Sequence, residues 1–284
     1  MKNGYGRNRI KRHMVDVDGT SIFCRDTVEG ERSILCLHGK WGRGETWSDF
    51  ISRYGGKYRI IAPDQRGHGL SGRPVARYAA EDFAKDAKRL VDELDCAPVI
   101  VVGHSMGGMT AAHLAAIYPE AVRACIILDI SADGRRKTVS ELPPDEVQPV
   151  DVLTDDWPTP YGSRGEALRD LYARFEYESN AGYFMESLVE TMDGYGFMFS
   201  PYAMAAMDEY YREWYDILPK IECPVLLVRA GESWCMSGDQ ASRMIPLIRD
   251  CTYFEVPGSD HAMYLDNPDG FYPGLEEFLN RLEE

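Results

Sequence analysis

The run PVIVVGHSMGGMTAAHLAAIYPE, residues 98–120, constrains the fold more than any other stretch of this chain. Val99 to Val102 form an unbroken, β-branched apolar strand, the pattern of a strand buried on both faces. An alanine-rich helix pattern follows almost at once. Between them GHSMG places Ser105 between Gly103 and Gly107. The chain must therefore turn sharply from strand into helix, and small residues on either side let the backbone pack through that turn. Such a turn lifts the serine hydroxyl clear of the sheet. It also aims the first amides of the following helix at the same point, where a developing oxyanion would be stabilised. A bare G-x-S-x-G match arises by chance in roughly one chain in ten of this length, so its position between strand and helix carries the signal.

The surrounding pattern agrees. SILCLHG (Ser33 to Gly39), RIIAPD (Arg59 to Asp64), ACIILDIS (Ala124 to Ser131), PVLLVRAG and TYFEVPG (Thr252 to Gly258) read as short apolar strands ending in turn residues. AEDFAKDAKRLVDEL (Ala80 to Leu94) has apolar residues at helical spacing, and a closing helix runs through GFYPGLEEFLNRLEE. Apolar strands alternating with helices indicate an α/β protein, with a mostly parallel sheet covered on both faces. From Asp133 to about Leu218 the pattern changes to a proline-rich acidic stretch, then helix-like segments dense in aromatics and methionine. No strand pattern stands out there, and the segment reads as a helical insertion over the sheet.

Bulk properties narrow the function. The chain of 284 residues is long enough for one large domain or a domain with an insertion. A formal net charge of −15 repels phosphate backbones and anionic membranes, so no nucleic-acid or membrane partner is expected. The N-terminal MKNGYGRNRIKRHMVDV has basic residues without an apolar run behind them, and reads as neither signal peptide nor membrane span. Seven scattered cysteines without paired metal spacing fit a reduced, cytoplasmic protein with no metal site.

Two further stretches supply chemistry. In LHGKWG, His38 and Gly39 end an early strand, and the amides of Lys40 and Trp41 come next, able to share an oxyanion with the Met106 N–H. His38 itself reads as a residue that holds its loop. In VPGSDHAMYLDNP, His261 follows the last strand in a turn-rich loop. A serine hydroxyl needs a neighbouring imidazole to take its proton, and His261 fits that need best. His13 precedes the first strand of this reading, His68 lies in a turn, His104 points away from Ser105 at the sharp turn, and His113 is mid-helix.

The motifs LHGKWG, PDQRGHGLSGRP, GHSMGG and VPGSDHAMYLDNP, in this order and spacing, resemble the α/β-hydrolase superfamily across nearly the whole chain. The resemblance implies the α/β-hydrolase fold: an eight-stranded, mostly parallel sheet with a helical cap inserted after strand six. That assigns residues 1–132 and 219–284 to the core and 133–218 to the cap. It implies a Ser-His-acid triad and no cofactor. Asp64, Arg66 and His68 then read as structural turn residues.

The acid is the open point. In this superfamily it usually follows strand seven, where this chain has Ser233, Trp234 and Cys235. Glu232 sits close to the strand end, and Asp239 lies at a helix start, where an N-cap is the plainer reading. Asp129 ends strand six, and strand carboxyl ends in such sheets face the site crevice. Some α/β-hydrolases carry the acid there. The chain is most similar to the subgroup that includes (E)-2-(acetamidomethylene)succinate hydrolase, which pairs a strand-six aspartate with a GES loop, as in AGESWCMS here. Asp129 is therefore the expected acid.

The expectation is a serine hydrolase acting on an ester, amide or related carbonyl bond of a small molecule through Ser105, His261 and Asp129. Met106 and Lys40 would supply the oxyanion amides. The alternatives are a non-hydrolytic or C–C-cleaving relative, or a catalytically impaired ligand-binding protein. Trp41, Trp157 and Tyr161 are candidate substrate contacts in an aromatic insertion. A succinate-type substrate would want cations, and Lys40, Arg135, Arg136 and Lys137 are available. The sequence leaves the oligomeric state open, with a homodimer among the expectations.

Overall fold

The computed structural model describes residues 10–283; residues 1–9 of the N-terminal stretch read above lie outside the described residues. Among the described residues ten strands are formed: β1 (Lys11–Val17), β2 (Thr20–Asp26), β3 (Ser33–Leu37), β4 (Arg59–Pro63), β5 (Val99–His104), β6 (Val122–Leu128), β7 (Leu188–Thr191), β8 (Gly194–Phe197), β9 (Val225–Ala230) and β10 (Cys251–Val256). The helices are α1 (Ser48–Tyr54), α2 (Ala80–Glu93), α3 (Met106–Ile117), α4 (Arg164–Arg174), α5 (Glu178–Met185), α6 (Pro201–Tyr210), α7 (Gly238–Met244), α8 (Met263–Asp266) and α9 (Pro268–Arg281).

Eight strands form one sheet in the order β1-β2-β4-β3-β5-β6-β9-β10. From β4 to β10 the neighbours are parallel, while β1 pairs antiparallel with β2 and β2 with β4. Side chains alternate between two cores, as strand geometry requires. Leu35, Leu37, Val99, Val101, Cys125, Ile127, Val225 and Leu227 face a core shared with α2 and α3. Ile34, Cys36, Ile100, Val102, Ala124, Ile126, Leu226 and Val228 face the other, with Trp47, Phe50, Phe271 and Leu275 from the α1 region and α9. Both faces being covered explains why these strands read as continuous apolar runs.

Two hairpins differ from the sequence reading. β1 and β2 form an antiparallel pair joined at Asp18–Gly19, both with positive φ (49° and 83°). His13 lies within β1 and does not precede the first strand. The alternating exposure of β1, an edge strand, gives no apolar run to detect. Inside residues 133–218, LVET and GYGF are not helical; they form the β7–β8 ribbon, with Leu188 opposite Phe197 and Thr191 opposite Gly194. Aromatic and β-branched residues suit a pleated surface, and Gly194 at φ 130° closes the turn. The segment is thus three helices plus a ribbon.

The sharp β5–α3 turn depends on missing side chains. Ser105 has φ 54° and ψ −121°. A Cβ on Gly103 would lie 2.0 Å from the Gly107 carbonyl oxygen, and one on Gly107 would lie 2.1 Å from that of Leu37. Both obstacles are backbone and cannot rotate away. Gly103→Ala is expected to destabilise the protein by about 3 kcal/mol or more, read as a lowered urea midpoint at unchanged m-value.

Candidate active site

Because the central strands are parallel, their carboxyl ends lie along one edge of the sheet, and the residues just beyond them gather there. His38, Ser105 and Asp129 each follow such an end, on β3, β5 and β6; His261 follows β10 by a short loop.

Asp129 is fully buried, with positive φ (48°). Its Oδ2 lies 2.7 Å from His261 Nδ1 and accepts a 2.7 Å bond from Ser233 Oγ, while Oδ1 accepts the Ala230 amide at 2.9 Å. Ser233 Oγ in turn accepts the amides of Cys235 and Met236 at 3.0 and 2.8 Å. The serine at the position where an acid was expected thus ties its loop to the carboxylate of the neighbouring strand. In the sequence Ser233 marks only the absence of an acid; its role as a donor to Asp129 appears in the fold. Glu232 and Asp239 are exposed, and among the described residues neither bonds to His261. Asp239 is not an N-cap: Ser237 caps α7 in a capping box with Gln240, and Asp239 lies in the first turn.

The Asp129 contact fixes the His261 tautomer with its proton on Nδ1, leaving Nε2 to accept. His261 is held between two rings, Trp234 at 4.6 Å and His104 at 4.5 Å between centroids. His104 does not point away from the site. Its Nε2–H donates to the His261 carbonyl at 2.9 Å, and its ring lines the same cavity as Ser105. Burial, reinforced by the neighbouring His261, holds the His104 pKa well below its ordinary value, so it stays neutral. The Cys235 thiol lies against Ser105 and Asp129, and burial raises its pKa, so it too is neutral.

The loop after β3 approaches Ser105 from the other side. Among the described residues, the amides of Lys40 and Met106 donate to no other group. His38 keeps the loop in place, as expected: Nδ1–H donates to the Gly39 carbonyl at 2.8 Å and Nε2 accepts the Gln65 amide at 2.9 Å.

Two cavities meet at Ser105. One, of about 260 Å³, also touches His104, His261, Phe175, Asn180, Tyr183 and Phe184. The other, of about 370 Å³, reaches Arg135, Asp151, Asp208, Tyr211 and Cys235. Lys40, Trp41, Leu153 and Trp234 border both. Trp41 is thus where a substrate contact was expected, but Trp157 and Tyr161 border neither. Trp157 packs on Phe184 and Phe197 at 4.8 and 5.3 Å, and Tyr161 donates to Asp170 at 2.7 Å, so both build the insertion's own core. Sequence reasoning missed Tyr183, whose buried hydroxyl has no hydrogen-bond partner among the described residues. No group of residues suited to hold a metal ion occurs among those described, and no described helix is long and apolar enough to cross a membrane.

Residues 34–273 match the alpha/beta hydrolase family, and the chain belongs to that family. It is 27% identical over 282 residues to the 2-(acetamidomethylene)succinate hydrolase of Mesorhizobium japonicum, covering 94% of each chain. It is 26% identical to serine hydrolase BPHL of Mus musculus, over 93% of this chain and 85% of that one. The crystal structure of E-2-(acetamidomethylene)succinate hydrolase superposes with a TM-score of 0.82 at 23% identity, over 96% of this chain and all of that one.

Two stability measurements test this geometry. Ser233→Ala leaves two loop amides and one carboxylate oxygen short of a partner, and is expected to cost about 1–3 kcal/mol in urea unfolding. Burial pushes the His38 pKa down to about 4 from an ordinary 6.5. The unfolded chain therefore binds this proton first, and the contribution is complete above pH 6.5 and lost as pH falls toward 4. The loss amounts to about 2 kcal/mol by pH 5. His38→Asn is expected to flatten the pH dependence of unfolding in that window by about this amount.

Proposed function

We propose that this protein is a serine hydrolase acting on a carbonyl bond of a small molecule, with Ser105 as nucleophile, His261 as general base and Asp129 as its orienting acid. The observation that carries the reading is the buried Asp129–His261 pair, at 2.7 Å, on a histidine that borders the same cavity as Ser105. The names of the relatives, two hydrolases, point the same way.

In this reaction Ser105 Oγ bonds to the carbonyl carbon while its proton passes to His261 Nε2. Asp129 stabilises the imidazolium that results. The negative charge on the former carbonyl oxygen is met by the Met106 and Lys40 amides, each such donor typically worth about 3 kcal/mol in the barrier. The carbonyl carbon's bond to the leaving group then breaks, and His261 returns the proton to that group. Water, deprotonated by His261, attacks the acyl-enzyme; its proton goes back to Ser105 as the acid is released. Residues 133–218 serve as a cap, supplying Phe175, Asn180, Tyr183 and Phe184 to the cavity wall.

A fluorophosphonate is expected to label the chain once, at Ser105, as read by intact mass and peptide mapping. Asp129→Asn is expected to slow the labelling by roughly a thousandfold to ten-thousandfold, because the amide favours the wrong imidazole tautomer. Equal rates in both proteins would remove Asp129 from the triad, and an unlabelled native chain would remove the serine mechanism.

A further inference from the structure

The two cavities at Ser105 differ in chemistry, and neither offers an unpaired cation. In the larger one, Lys40 Nζ lies 2.8 Å from Asp151 and 3.1 Å from Asp208, and Arg135 lies 3.4 Å from the other oxygen of Asp208. Two cations therefore face two carboxylates. Asp151 is only 2% exposed, and its oxygens are filled by Lys40, Trp41 Nε1 at 2.8 Å and Thr154 Oγ1 at 2.7 Å. Arg136, the next basic residue, pairs with Glu209 at 2.9 Å.

The smaller cavity is walled by Trp41, Leu153, Phe175, Phe184 and Trp234. Its one amide side chain, Asn180, donates to the carboxylate of Asp260 at 2.7 Å, which places negative charge behind that wall. A carboxylate entering either cavity would lose its hydration and find no cation without a partner, an arrangement that disfavours anions. A hydrocarbon or aromatic group in the smaller cavity loses only unfavourable hydration and gains ring contacts.

We propose that the substrate is an uncharged carbonyl compound that places an aromatic or branched hydrocarbon group among Trp41, Phe175, Phe184 and Trp234, and that carboxylate-bearing substrates are rejected. The inference rests on the serine-hydrolase reading above. It sets this chain apart from the succinate substrate in its relatives' name, despite the shared fold.

Two fluorophosphonates of equal length, one ending in a phenyl group and one in a carboxylate, test it on the full chain by the rate of mass increase at Ser105. The phenyl probe is expected to react at least about tenfold faster. Asp208→Asn removes one of the compensating charges and is expected to shrink that ratio several-fold. A carboxylate probe that labels the native protein as fast as the phenyl probe, or faster, overturns the proposal. So does an unchanged ratio in the variant. If neither probe labels the native chain, the serine reading itself fails, and this inference with it.

Discussion

A carboxylate taken fully out of water must be hydrogen-bonded on every side that matters, and Asp129 meets that demand with three donors from three segments of chain. The Ala230 amide comes from the end of β9, the Ser233 hydroxyl from the loop after it, and the His261 ring from the loop after β10. Each donor fixes the loop that carries it. The positive φ of Asp129 turns the chain as β6 ends, and its amide still donates to Val228. In the loop after β9, Ser233 donates to Asp129 while satisfying two amides of its own turn.

The sheet makes this convergence possible. Parallel strands put their carboxyl ends on one edge, and a core on each face stops them from shifting relative to one another. Ser105 adds a second strained residue at that edge, held by backbone packing that Gly103 and Gly107 alone permit. Strain at two adjacent strand ends is local conformational cost offset by the packing of the whole sheet.

What was legible in the sequence follows from these physical causes. Two-sided burial produces apolar runs, so β3 to β6, β9 and β10 were readable to within about three residues at each end. The β5–α3 turn was readable because its sterics demand glycine. The β1–β2 hairpin was not, although Asp18–Gly19 is a strong turn signal: β1 is an edge strand with little apolar pattern, and the buried run of β2 is short, Ile22 to Cys24, and followed by the charged Arg25 and Asp26. Within 133–218, aromatic content could not separate cavity from core. Phe184 borders the cavity while Trp157, packed on it, does not, and no periodicity distinguishes them. Charge was misleading in the same way: Lys40 and Arg135 do reach the cavity, but only tertiary structure shows Asp151 and Asp208 facing them.

The segment 133–218 also bears on the loop proposed to hold the oxyanion. Trp41 has φ 65°, a conformation disfavoured for its side chain unless surroundings impose it. Those surroundings come from the insertion. Asp151 grips Lys40 and the Trp41 indole, Ser187 Oγ donates to the Trp41 carbonyl at 2.7 Å, and Arg43 donates to the Glu186 carbonyl. Tyr183 presses so closely that a Cβ on Gly42 would lie 2.1 Å from its hydroxyl. Oxyanion donors act through being fixed before charge develops, without reorganising as it does. The amides of this loop are fixed by side chains that approach from above the sheet as much as by β3 below it. The insertion that lines the cavity at Ser105 therefore also holds the loop proposed to supply the oxyanion donors.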